Sequence, residues 1–148
     1  MYQARHDDKQ GVAVWWLDRP SSDEWRRFTV DIVRVARWSH VSTRPSVLLR
    51  VEHWSPDPRQ RSQLAELMGD PSFRASLAFV TESAEAFGFW RAIAWMHEAA
   101  PYELAPFSDV DDAIDWLQAQ RERRLESLHR LVQDIALARA PTRMTERF

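Results

Sequence analysis

Two carboxylates and an imidazole lie close together in Glu52, His53 and Asp57. These residue types bind a divalent metal or exchange protons with a substrate. If a strand runs through Glu52 and His53, however, the two project to opposite sides, and a pair of solvated polar residues is the simpler reading. His97 falls on the apolar side of a helical pattern near its C-terminal end, where the dipole favours a protonated imidazole. A core or capping histidine satisfies that position. His40 and His129 are isolated, and no His-x-x-x-His spacing sets two ligands on one helix face. With no cysteine there is no thiolate metal site, cysteine nucleophile or disulfide framework, which fits a reducing compartment. The 3 glycines, at 11, 69 and 88, cannot form a P-loop or a dinucleotide fingerprint. No cofactor is expected.

The remaining candidates are aromatic and basic. Tryptophan brings large apolar area with one donor that wants a partner when buried, so each of the 8 is a core or an interface anchor. Of Trp15 and Trp16, one must turn away from whichever helix layer covers the other. Trp54, Trp90 and Trp95 lie on neighbouring elements. If helices cover only one sheet face, Trp15, Phe79, Trp90 and Trp95 would line an apolar pocket fit for a lipid-like molecule or a protein partner. Packing in a two-sided core is the competing use. Arg121, Arg123, Arg124 and Arg130 form a basic block, opposite in sign to Asp109, Asp111, Asp112 and Asp115. A solvated face accounts for both blocks, and antiparallel self-association would pair them.

These residues need an alternating scaffold. Tyr2, Ala4 and His6 alternate with polar residues, Asp8-Lys9-Gln10-Gly11 supplies a turn, and Val12 to Leu17 is apolar on both faces. That pattern predicts an opening β-hairpin whose second strand lies inside a sheet. Ser21 and Glu24 have capping-box spacing ahead of Trp25, Phe28, Ile32 and Val35, a helix expected to end within 39–43 before Pro45. Val47 to Val51 reads as a strand. Asp57 and Pro58 open a second helix carrying Leu64, Leu67 and Met68, with Gly69 as its left-handed stop. Leu77 to Thr81 is a buried strand, Ser83 caps a third helix that Pro101 stops, and Tyr102 to Phe107 is a last short strand, with Pro106 arguing for an edge position or a strand end. Ser21, Ser83 and Ser108 could each take a phosphate, but capping explains all three.

From Ser108 a helical stripe runs through Ile114, Leu117, Leu125, Leu128, Val132 and Ile135 to Pro141. A continuous helix of about 30 residues would be roughly 45 Å long and would outgrow one small sheet. Either its surplus meets a partner, or it breaks within Gln118 to Arg124 and its second half folds back. The expected architecture is α/β, a mixed sheet of about five strands with flanking helices. A domain over 1–118 would precede a helical extension and tail over 119–148.

Composition narrows the class. At 148 residues the chain suits one domain, and a net charge of −2, from 20 basic and 22 acidic side chains, creates no field that would gather nucleic acid. Arginine supplies all of the positive charge except Lys9, a bias that accompanies GC-rich, here bacterial, coding. No apolar run reaches the roughly 20 residues of a membrane span, and no secretory signal is evident, so a cytoplasmic location is expected.

The order of elements resembles the STAS fold, especially its SpoIIAA-like set bordering on SEC14-type lipid-binding domains. The hairpin ending in Val12 to Leu17, Glu24-Trp25, Gln60-Arg61 with Leu64-Ala65, Ala78 to Ser83 with Gly88, Trp95, Pro101-Tyr102-Glu103, Phe107 and Ala113 to Leu117 carry the resemblance, over residues 2 to about 118. It implies regulation by partner switching, in which a serine or threonine opening the helix after a central strand is phosphorylated. Ser55 is the nearest positional counterpart, without the Asp-Ser-Ser-Gly type of motif around it. The expectation is a non-enzymatic interaction module, homodimeric through Leu125, Leu128, Val132 and Ile135. Its partner or ligand surface would involve Trp15, Trp54, Ser55, Arg61, Trp90 and Trp95. The alternative is a sensor of a small apolar molecule.

Overall fold

The computed structural model describes residues 1–38, 44–96, 102–121 and 126–139. Strands β1 (Tyr2–Asp7) and β2 (Val12–Asp18) form the expected antiparallel hairpin. Its turn is held by the Asp7 carboxylate, which accepts from the N–H groups of Lys9 and Gln10 at 3.1 and 3.2 Å. Gly11 closes it at φ 66°, a left-handed conformation that glycine adopts without a Cβ clash.

Helix α1 (Ser22–Trp38) begins at the predicted box: Glu24 N–H donates to Ser21 Oγ at 3.2 Å and Ser21 N–H to Glu24 Oε1 at 3.0 Å. Its expected end at 39–43 lies outside the described residues. There follow β3 (Ser46–Glu52), α2 (Pro58–Met68), β4 (Ser76–Val80), α3 (Ala84–Met96), β5 (Glu103–Phe107), α4 (Val110–Arg121) and α5 (Glu126–Arg139). Asp57 and Gln60 cap α2 reciprocally, with Pro58 in the first turn. Gly69 ends α2 at φ −77°, so the left-handed stop expected there is not used. Asp109, and not Ser108, caps α4, its Oδ1 accepting from Asp111 N–H at 2.9 Å. The expected Pro101 stop and His97 lie outside the described residues.

The strands lie in consecutive order, β1-β2-β3-β4-β5, with β2 to β5 parallel. Right-handed crossovers between consecutive parallel strands place their helices on one face, and the buried clusters follow that rule. Trp15, Leu17, Leu49 and Phe79 pack with Phe28 and Ile32 of α1, Leu64 of α2 and Trp90 of α3. On the other face, Val12, Val14, Leu48 and Ala78 pack with Ile114 and Leu117 of α4 and with Leu128, Leu131 and Ile135 of α5. Both sheet faces are therefore covered.

The final stripe is divided between two helices, and α5 lies back on β1 and β2. Leu128 and Ile135 are fully buried and Val132 half-buried against the chain's own sheet. This corrects the expectation of a dimer seam along Leu128, Val132 and Ile135; Leu125 lies outside the described residues. The reason is area: α4 alone leaves β1 and the adjoining part of β2 uncovered, and the second half of the stripe is apolar enough to cover them. The sequence boundary placed at 118 falls within α4. Among the described residues, no helix is long and apolar enough to cross a membrane.

Candidate functional site

Asp18 and Glu52 pair at the carboxyl ends of β2 and β3, the edge where parallel α/β sheets usually bind ligands. Next to them Arg19 and His53 both adopt left-handed backbone, at φ 45° and 51°. Asp18, Glu52 and His53 each bring one ligand atom within 4.8 Å of the others, so two members of the sequence-level cluster converge with a residue the sequence did not suggest. Asp57, the third, is occupied as the α2 cap.

Guanidinium groups already hold this cluster. Arg139 Nη2, at the end of α5, donates to Asp18 Oδ2 at 3.1 Å and lies 3.7 Å from Glu52 Oε2. Arg50 Nη2 meets Glu52 Oε1 at 2.7 Å, and Arg19 Nε reaches Asp18 Oδ1 at 3.3 Å. Trp16 meets two cations, the guanidinium carbons of Arg50 and Arg139 lying over its ring 4.2 and 4.3 Å from the centre. The arginine bonds draw the Asp18 carboxyl below its usual range against the opposing effect of desolvation. A divalent cation here would have to displace arginines from both carboxylates, so the residues present do not fit a metal site.

The arrangement instead clamps α5 to the sheet, and a second arginine, at the C-terminal end of α4, ties that helix to the opposite end of the strands. Arg121 donates to the carbonyls of Gln10, Gly11 and Arg44 at 2.8, 3.0 and 3.0 Å. Neither arginine was distinguishable in the sequence from its neighbours. We expect Arg139→Ala to lower the unfolding free energy by about 2 kcal/mol in urea titrations, because Asp18 loses a donor and Glu52 a neighbouring cation at a partly buried site. Arg139→Lys should recover less than half of that loss, since one ammonium cannot reproduce the fork or the stacking.

The expected aromatic site is not assembled. Trp15 and Trp90 are each 1 % exposed and Phe79 is fully buried, with Phe79 and Trp90 rings 4.8 Å apart. They form packed core and not the walls of an open pocket, which corrects the alternative of an apolar-ligand site lined by these residues. The side chain of Trp95 lies outside the described residues. Trp54 packs on Trp25 at 5.7 Å. Ser55 is half-buried in the loop after β3, two residues ahead of the α2 cap, so it does not open that helix. Arg61 Nε donates to the Pro56 carbonyl at 3.0 Å and braces the same loop.

Open space lies elsewhere. Clefts of about 240 and 230 Å³ flank Glu82 at the carboxyl edge, whereas one of about 500 Å³ runs between β1 and α1. It is lined by Tyr2, Gln3, Ala4 and Arg5 on the strand and Arg26, Arg27, Val30 and Asp31 on the helix. Two of the exposed large apolar side chains, Val30 and Val33, lie on that helix, at 62 % and 38 %. In sequence they fell outside the apolar stripe of α1 and gave no signal.

A buried polar chain backs the cleft. Tyr2 Oη donates to Asp31 Oδ2 at 2.6 Å, Asp31 Oδ1 stands 3.9 Å from His6 Nε2, and Trp15 Nε1 donates to His6 Nε2 at 3.1 Å. Accepting from Trp15 requires a neutral imidazole. Burial lowers the His6 pKa from its ordinary 6.5, Arg34 adds to the fall, and Asp31 and Asp8 oppose it. Because the unfolded chain takes up this proton first, the His6 contribution is complete above pH 6.5 and is lost as pH falls from there toward the lower folded value. Urea midpoints measured down this range should fall more steeply for the wild type than for His6→Gln.

Comparison with family models, with curated proteins and with solved structures gave no match to this chain.

Proposed function

We propose that the chain is a non-enzymatic protein-interaction module of the STAS-like type, and that it docks its partner along β1 and the adjoining flank of α1. The observation that carries this reading is the position of the open cleft. At the carboxyl edge Asp18 and Glu52 are held by arginines, while the larger cleft follows the outer edge of a strand, where an extended segment can add main-chain hydrogen bonds. The opposite edge, β5, is a poorer template, since it is short and contains Pro106, which has no N–H. An opening hairpin followed by strand–helix alternation supports the STAS-like part of the reading.

Two occupants suit an open strand edge: an extended segment of another protein, or β1 of a second copy. The test is selection of displayed extended peptides on the wild type, with parallel binding to Ala4→Pro and light scattering of both proteins. Selected peptides that lose binding to Ala4→Pro support the proposal, as does a wild-type dimer that Ala4→Pro dissociates. Peptides indifferent to Ala4→Pro, from a protein that stays monomeric, would overturn it.

A further inference from the structure

The hydrogen-bond register identifies which groups of β1 face outward. Asp18 N–H donates to the Met1 carbonyl at 2.7 Å, so the Met1–Asp18 pair exchanges ladder bonds. In an antiparallel ladder such pairs alternate, which assigns Gln3, Arg5 and Asp7 to β2 and turns the N–H and C=O groups of Tyr2, Ala4 and His6 away from it. Two of these outward groups are occupied by side chains. Tyr2 N–H donates to Glu24 Oε2 at 2.6 Å, and the Ala4 carbonyl accepts from Arg5 Nη1 at 2.8 Å. Among the described residues, no hydrogen bond reaches Ala4 N–H, His6 N–H or the His6 carbonyl.

The charged side chains that line the cleft are mainly basic, although Glu24 sits on the Tyr2 N–H at its end. Arg5, Arg26 and Arg27 line the cleft against one carboxylate, Asp31, and that carboxylate is engaged inward by the Tyr2 hydroxyl. Among the described residues, Arg26 and Arg27 have only long contacts to acids, 3.9 Å to Asp23 and 3.8 Å to Glu24. Their guanidinium groups are largely exposed, and ion pairs of that kind hold them weakly. A second copy pairing edge to edge would bring the same arginines against themselves, which like-charge repulsion opposes.

We propose that the partner is an extended acidic segment that adds to β1 as a sixth strand; this rests on the reading of the β1–α1 cleft as the docking surface. Arg5 makes the acidic character a condition of pairing. In the free protein its guanidinium covers the Ala4 carbonyl, and a carboxylate on the incoming strand draws it away and exposes that acceptor. Ala4 N–H and the His6 groups supply the remaining main-chain bonds. Apolar side chains of the segment meet Val30 and the buried row behind it, while its acids meet Arg5, Arg26 and Arg27. A neutral or basic segment leaves Arg5 in place and finds one acceptor blocked.

The probes are two labelled eight-residue peptides, one alternating Glu and Val and one alternating Lys and Val, read by fluorescence anisotropy. The acidic peptide should bind at least about tenfold more tightly than the basic one, and more weakly as salt rises. Arg5→Glu should weaken it about tenfold, and Ala4→Pro should abolish binding, since the lost N–H is one that β2 does not use. An acidic peptide N-methylated at alternate amides, which leaves the protein untouched, should fail in one of its two registers. Equal binding of both peptides, or indifference to Arg5→Glu, while Ala4→Pro still abolishes binding, overturns the acidic partner and keeps the docking surface. Acidic-peptide binding that survives both Ala4→Pro and N-methylation, or no binding of either peptide, overturns this inference. In the latter case, the peptide selection above still decides the docking surface. A wild-type dimer dissociated by Ala4→Pro assigns the edge to a second copy and overturns it as well.

Discussion

Trp15→Ala is expected to lower the unfolding free energy by about 4 kcal/mol, measured by urea titration followed by circular dichroism. Trp15 is 1 % exposed in the centre of the first sheet face. Its ring meets Phe28 edge-on, with centroids 5.5 Å apart and planes at 86°, so truncation opens a cavity that α1 and the sheet cannot both close. The same change removes the indole N–H that donates to His6 Nε2. Trp15→Phe separates these effects: it keeps most of the ring volume, should cost about 1.5 kcal/mol, and removes the bond that favours a neutral imidazole. The acid sensitivity traced to His6 should therefore become shallower in Trp15→Phe. A cost below about 1 kcal/mol for Trp15→Ala would mean that the ring lines open space, and would reopen the alternative of an apolar-ligand site.

Ile135→Ala should cost about 3 kcal/mol, with a thermal midpoint independent of protein concentration. Ile135 is fully buried and, with Leu128 and Leu131, forms the part of α5 that covers β1 and β2. A loss that grows on dilution would instead show these side chains working between copies, since mass action links the stability of an interface to protomer concentration. Leu137 provides the comparison on the same helix. It is 74 % exposed, and Leu137→Ala should change stability by no more than about 0.5 kcal/mol.

The features legible in the sequence are those made between near neighbours. The Ser21–Glu24 box, the Asp57–Gln60 cap with Pro58, and the Asp7–Gly11 turn each join residues at most four apart. Their chemistry is therefore complete in the local string. Alternation of strand and helix follows from apolar periodicity, and it was enough to give the mixed five-stranded sheet with β1 antiparallel. Pro106 allowed an edge position or a strand end, because a residue without N–H has no place inside a ladder, and the structure puts β5 at the edge.

The candidate surface was much less legible. Glu52 and His53 stood out, but Asp18 joins them only through the β2–β3 register, and Arg139 reaches Asp18 from 121 residues away in sequence. The arginines of the chain look alike in sequence; partners brought by folding make Arg121 and Arg139 clamps and leave Arg5, Arg26 and Arg27 around a cleft. Trp15 and Trp16 are adjacent, and pleating sends one to each face, but whether the second face is wet or covered depends on where the last helix goes.

By itself, the sequence determined most of the elements, several of their caps and their order, because local hydrogen bonding and apolar period act over a few residues. Tertiary structure alone decided that α5 folds back to cover the second face, that the tryptophans in the core are not a ligand site, and that the open groove lies along β1. Those outcomes depend on which apolar areas remain uncovered after the sheet has formed and on which charges then fall within reach, and both arise from long-range packing.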